Sequence, residues 1–165
     1  RGDKYLASCQ TDIIRLLQQH PEALNREHYS PGHLTASAVI LSPSKNDVLL
    51  VRHKKLGKWL QPGGHVEKTD DHPSHTAKRE AEEETGIRLT SGEGSLVGID
   101  IHSIPATDRE PQHLHHDLAF LFTAQTEVLG GNRESNDVFW CPVDRLSEYT
   151  NDDAVARHVG RAIRQ

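Results

Sequence analysis

Between Pro62 and Ile87 the chain reads PGGHVEKTDDHPSHTAKREAEEETGI, a glycine turn, a polar loop and a carboxylate-rich helix. No other stretch constrains the fold as much. Its second half carries both helix boundaries: Asp70 or Asp71 is expected as N-cap, Pro73 falls in the first turn where its missing N–H costs nothing, and Gly86 closes the last turn. At about 100° per residue, Glu80, Glu83 and Glu84 share one side of that helix. Like charges at these spacings repel, each pair costing about 0.2–0.5 kcal/mol. Arg79 reaches Glu83 one turn on, but Lys78 and Arg79 together do not neutralise Glu80, Glu82, Glu83 and Glu84. Carboxylates beside a glycine-turn carbonyl are the hard oxygen donors that suit Mg2+ or Mn2+, which in turn grip phosphate. The competing reading is an acidic, solvated helix face. The fixed distance to the glycine turn favours the metal reading.

The flanking segments supply the rest of an α/β domain. Leu6, Cys9, Ile13, Leu16 and Leu17 recur at helical spacing, broadened by Ile14, and a second short helix is expected from Pro21 to His28. From His33 the period changes: LTASAVIL and VLLVRH read as strands joined by the turn residues SPSKND, with Trp59 and Leu60 packing ahead of the glycine turn. Beyond the helix, SLVGIDIHSI and HLHHDLAFLFTAQTEV read as strands, the latter apolar on both faces toward its end and so central. VFWCPVDRL is a strand that breaks at Pro142, and 151–165 reads as a closing helix with Val155, His158, Val159, Ala162 and Ile163 inward.

Composition limits the partners. A chain of 165 residues is one ordinary domain, able to bury about 70% of its unfolded surface without staples. With 19 basic against 24 acidic residues and no basic block, the chain is not built to hold a long nucleic acid. Cys9 and Cys141 form neither a framework nor a CxxC pair, so a reducing, cytoplasmic setting is expected, and no apolar run approaches the length of a membrane span. Outside the helix two features invite chemistry. Arg52, at the end of the second strand, is either solvated surface or a phosphate contact. His113, His115 and Asp117 recur at a spacing of two, so a strand points them one way, as zinc ligands, as substrate contacts for His115 or Asp117, or as plain strand polarity.

The segment REAEEETGI, Arg79 to Ile87, matches the REUxEExGU core of the Nudix box, with Ala81 and Ile87 at the apolar positions and Gly63-Gly64 upstream. The chain therefore resembles the Nudix hydrolases. It departs from the full pattern, Gx5Ex7REUxEExGU, by one extra loop residue and by Asp in place of Glu. The upstream acidic position falls on Asp71 counted back from Arg79 and on Asp70 counted forward from Gly64. The resemblance implies a Nudix fold, a mixed β-sheet sandwiched between α-helices, over 31–165, with 1–30 as a helical extension packed on it. It implies a Mg2+-dependent pyrophosphohydrolase, with Mn2+ as an alternative, acting as monomer or homodimer on a small nucleoside diphosphate joined to another group X. By the same resemblance Glu83 and Glu84 ligate metal, Glu80 ligates metal or orients water, Arg79 orients a glutamate, and the Gly64 carbonyl completes the shell. Glu134, six residues before Trp140, is the outside candidate for the base, and His65 and Glu67 flank the shell as expected contacts to metal, arginine or the substrate phosphate. Two rival readings remain. An isopentenyl-diphosphate isomerase on this fold would need a reactive cysteine by the glycine turn, and a non-catalytic nucleotide sensor would tolerate loss of the box carboxylates.

Overall fold

The computed structural model describes residues 2–131, 134 and 137–165. Helix α1 (Gly2–Gln19) and a 3-10 turn (Pro21–Leu24) lead into strands β1 (Gly32–Leu41), β2 (Asp47–Arg52), β3 (Trp59–Leu60) and β4 (Gly63–His65). Helix α2 (Pro73–Thr85), β5 (Ser95–Ile104), β6 (His113–Thr123) and β7 (Val138–Pro142) follow. A 3-10 turn (Val143–Arg145) and helices α3 (Leu146–Tyr149) and α4 (Asp153–Ala162) then close the chain.

β1 is the axis of the sheet. β6 runs parallel to it along its full length, from the Gly32–Leu114 pair to the Leu41–Thr123 pair, and β5 lies antiparallel on the far side of β6. The other edge of β1 is shared: β4 pairs antiparallel with Thr35–Ser37, and β2 takes over at Leu41. β2 in turn pairs with β3 and β7. This split edge delivers the glycine turn to the middle of the sheet instead of leaving it in a peripheral loop.

All 10 residues of β1 are buried, as expected of a strand covered on both faces. Its even positions, Ala36, Ala38 and Ile40, pack with Ala77 and Ala81 of α2 and with Leu49, Ile87, Phe120 and Phe122. Alanines on both sides of that contact let α2 lie close to the strand. The odd positions Val39 and Leu41 face Val155, Val159 and Ala162 of α4, together with Val48, Leu50 and Cys141. α1 buries Cys9 and Ile13 against Leu34 and Ile99, and Leu16 is buried on the same helix.

Three local expectations are corrected. Ile14 and Leu17 are 49% and 36% exposed, because α1 meets the sheet along a narrow stripe. Ile163 is 47% exposed, since α4 ends at Ala162 and Ile163 is its C-cap. The short helix expected to run to His28 is a 3-10 turn ending at Leu24, where Asn25 turns extended.

Candidate active site

The N-terminus of α2 is capped by His72, not by Asp70 or Asp71: its ring Nδ1 accepts from the Ser74 N–H at 3.1 Å. Asp70 is not free for capping because it is turned back into the loop. It accepts two bonds from the Arg79 guanidinium, at 2.9 and 3.2 Å, one from the Thr76 hydroxyl at 2.9 Å and one from the Glu67 N–H at 2.9 Å. Its side chain is only 6% exposed. Asp71 is exposed, so the carboxylate tied to the helix is Asp70. A tight turn from Glu67 to Asp70, closed by the Asp70 N–H donating to the Glu67 carbonyl at 3.0 Å, turns the loop back toward Arg79.

Arg79 is the hub of this arrangement. Besides Asp70 it donates to Glu80 at 3.0 Å, to Glu83 at 3.3 Å and to the His65 carbonyl at 3.0 Å, tying β4, loop and helix together. Its planar fork of N–H donors suits such divided contacts. Glu84 accepts from the Gly63 N–H at 3.3 Å. A side chain at Gly64 would displace the Glu80 carboxylate, which glycine lets lie directly against this backbone. The loop before β7 closes the group from the other side, as the Glu134 N–H donates to the Glu83 carbonyl at 3.0 Å. The C-terminal end is fixed by Gly86, whose φ of 67° is the left-handed cap conformation.

Charge in this cluster is under-compensated. Burial pushes the Glu84 carboxyl up to about 7, with Glu80, Glu134 and Glu83 adding to the rise and the Gly63 N–H opposing it. Glu80 is also raised by burial, against the pull of Arg79. Arg79 itself is held firmly protonated by Asp70 and Glu80, so one guanidinium is shared among Asp70, Glu80 and Glu83. The donor set of Glu80, Glu83, Glu84 and the Gly64 carbonyl consists of hard oxygens, which fits Mg2+ or Mn2+. The raised carboxyls of Glu80 and Glu84, set against the Gly63-Gly64 turn, are what a divalent cation would relieve.

Glu84 gives a prediction whose sign follows from that shift. Between the ordinary carboxylate range and about 7, the folded metal-free protein holds a proton that the unfolded chain releases. This contribution therefore stabilises as pH falls through the window and is lost as pH rises. Glu84→Gln should be more stable than wild type in chelator at about pH 8, with the gap closing toward about pH 5. Thermal melts across that range check it; a pH-independent difference would contradict the assigned shift.

The remaining expected site residues lie apart from the carboxylates. Alternation along β1, β4 and β6 places His65, His115 and Asp117 with His33, Thr35 and Ser37, on the face of the sheet opposite α2. Asp117 accepts from Thr35 at 2.8 Å and from Ser37 at 2.5 Å. Burial lowers His65 to about 4 and His115 to about 2. Arg52 is exposed at the end of β2, beside Trp59, and makes no ion pair among the described residues. His33, unmarked in the sequence, belongs to the histidine group because the parallel register sets it opposite His115. No local signal in the sequence announces that pairing.

The NUDIX domain model matches residues 31–162, and the chain belongs to that family. Relatives include the m7GpppN-mRNA hydrolase NUDT17 of Xenopus laevis, 29% identical over 122 residues that cover 70% of this chain and 41% of that protein. A CMP-5'-(N-acetyl-N-hydroxy-3-aminopropyl)phosphonate hydrolase of Streptomyces rubellomurinus is 30% identical over 127 residues, covering 74% of this chain and 58% of that one. The chain thus spans about half the length of the curated relatives it matches. Among solved structures, a NUDIX-family hydrolase from Clostridium perfringens is similar with a TM-score of 0.59 and 27% identity, over 85% of this chain and 97% of the other. The NUDIX domain of Shewanella oneidensis NrtR, complexed with ADP ribose, shares the fold with a TM-score of 0.54 at 20% identity, over 78% and 84%.

Proposed function

We propose that this chain is a divalent-cation-dependent pyrophosphohydrolase that cleaves the diphosphate of a nucleoside diphosphate joined to a second group. The observation that carries this reading is the placement of Glu80 against Gly64 and of Glu84 on the Gly63 N–H, with Glu83 held by the same Arg79 that binds Glu80 and is itself pinned by Asp70. A Mg2+ or Mn2+ ion bound there supplies neutralisation of the diphosphate charge and a lowered pKa for water. Glu83, Glu84 and the Gly64 carbonyl are its proposed ligands, with Glu80 either ligating or orienting the attacking water. Arg79 keeps Glu80 and Glu83 in place. Glu134 comes within electrostatic reach of Glu80 and Glu84, which suits the base that accepts the proton from water.

The substrate class is supported by the two named relatives, whose names both specify a nucleotide joined to a further moiety. The net charge of −5 argues against a long polyanion as the bound group. The isomerase reading gains nothing from the fold, since Cys9 and Cys141 are both buried in apolar clusters away from the carboxylates. The test is a screen of pure protein against ADP-ribose, nucleotide sugars, dinucleoside polyphosphates, coenzyme A and nucleoside triphosphates, with Mg2+ and Mn2+ compared. Cation-dependent release of a nucleoside monophosphate from one class supports the reading. Binding of these compounds without turnover under either cation would turn it toward a sensor.

A further inference from the structure

We propose that His33, His65 and His115 form a second metal site, for a borderline transition-metal ion such as Zn2+, on the face of the sheet opposite the carboxylates. One ligand nitrogen from each ring lies within 4.8 Å of the other two. The ring centroids are 5.1 Å apart for His33 and His65, 4.8 Å for His33 and His115, and 5.2 Å for His65 and His115. A tetrahedral ion with Zn–N bonds of about 2.0–2.1 Å wants its nitrogens about 3.3 Å apart, so small side-chain rotations close the site.

Three adjacent strands carry the three rings. His33 on β1 stands in register with His115 on β6, and β4 brings His65 alongside at the pair it makes with Thr35. Ligands on hydrogen-bonded strands are held more rigidly than ligands on loops. Alternation then separates the two centres: Gly64 faces Glu80 of α2, and the neighbouring His65 turns to the other side.

His33 supplies the independent observation. It is 1% exposed, and its Nδ1 meets the His28 carbonyl at 3.1 Å, which makes Nδ1–H the donor and leaves a lone pair on Nε2. That Nε2 is buried and has no hydrogen-bond partner among the described residues. An unmatched buried polar atom costs about 1–3 kcal/mol. A ring fixed by a backbone carbonyl through one nitrogen, with the other free, is the usual posture of a metal-bound histidine. Imidazole donors suit Zn2+, Co2+, Ni2+ or Cu2+ and not Mg2+, and three of them leave a fourth position for water or a ligand. His20, Glu22 and His28 also bring one ligand atom each within 4.8 Å of one another. The Glu22 side chain there is 61% exposed and already lies 3.7 and 3.4 Å from the two imidazoles, so nothing in that group calls for an ion.

The test uses the full chain, free of any tag, stripped with chelator and titrated with Co2+ and Zn2+. Saturable binding at one histidine-dependent site per chain is expected, marked by the intense visible absorption of four-coordinate Co2+ and displaced by Zn2+. His115→Asn and His65→Asn should each weaken binding by more than the roughly 10–100-fold typical of losing an outer-shell partner. Both positions are partly exposed, so one folded variant suffices, checked by circular dichroism. Glu83→Gln should leave this binding intact, which separates it from the carboxylate site. Absence of the four-coordinate Co2+ signal in wild type, or a signal that survives both histidine variants, overturns the proposal.

Discussion

Glu83→Gln is expected to abolish cation-dependent turnover while leaving the fold intact. The Glu83 side chain is 46% exposed and, among the described residues, its one direct partner is Arg79, at 3.3 Å. Glutamine keeps the shape and one acceptor oxygen, so packing is unaffected. What disappears is a negative charge beside Arg79 and Glu80, and with it a proposed metal ligand. Losing an outer-shell partner already costs about 10–100-fold in metal affinity or activity, so losing a ligand should exceed that range. Steady-state rates at saturating Mg2+, read beside a thermal melt, separate the two effects. Unchanged turnover with an unchanged melt would remove Glu83 from the machinery.

The second large effect is on stability. Arg79→Ala should destabilise the protein substantially because Asp70, 6% exposed, loses the guanidinium that makes two of its bonds. Removing one partner of a buried ion pair costs roughly 3–5 kcal/mol. The lower end applies here, since the Arg79 side chain keeps 21% exposure and Thr76 and the Glu67 N–H still serve Asp70. The acid dependence has a definite sign. Arg79 leads the contacts that hold the Asp70 carboxyl down to about 2, so the pair contributes fully above the ordinary carboxylate value of about 4 and is lost as pH falls toward 2. The difference in unfolding free energy between wild type and Arg79→Ala should therefore shrink below about pH 4. Urea unfolding at a series of pH values checks this, and a gap that persists unchanged at about pH 2 would contradict the role given to Asp70.

The α2 helix and the strands were legible because their signals are local. Proline at the first turn, glycine at a left-handed cap and alternation along β6 act over a few residues. The parts that escaped depend on distant segments. Asp70 and Asp71 are both polar and adjacent to the helix start, and the distinction arises from Arg79 drawing Asp70 inward, which frees His72 to cap. The histidine group requires the parallel pairing of β1 with β6, between segments some 80 residues apart. Likewise, the outward turn of Ile14 and Leu17 reflects how narrowly α1 meets the sheet, a tertiary fact that helical spacing does not contain.

The most direct test of the central claim is hydrolysis of the best substrate from the panel in water enriched in oxygen-18, with Mg2+ present and products weighed by mass spectrometry. Water attack on phosphorus places one heavy oxygen on a phosphate of one product and none on the bond to X, and the label should fail to appear when the cation is chelated. Label on a carbon-bound hydroxyl of X, or cleavage that proceeds in chelator, would contradict a cation-assisted diphosphate hydrolysis at the Glu80, Glu83 and Glu84 cluster.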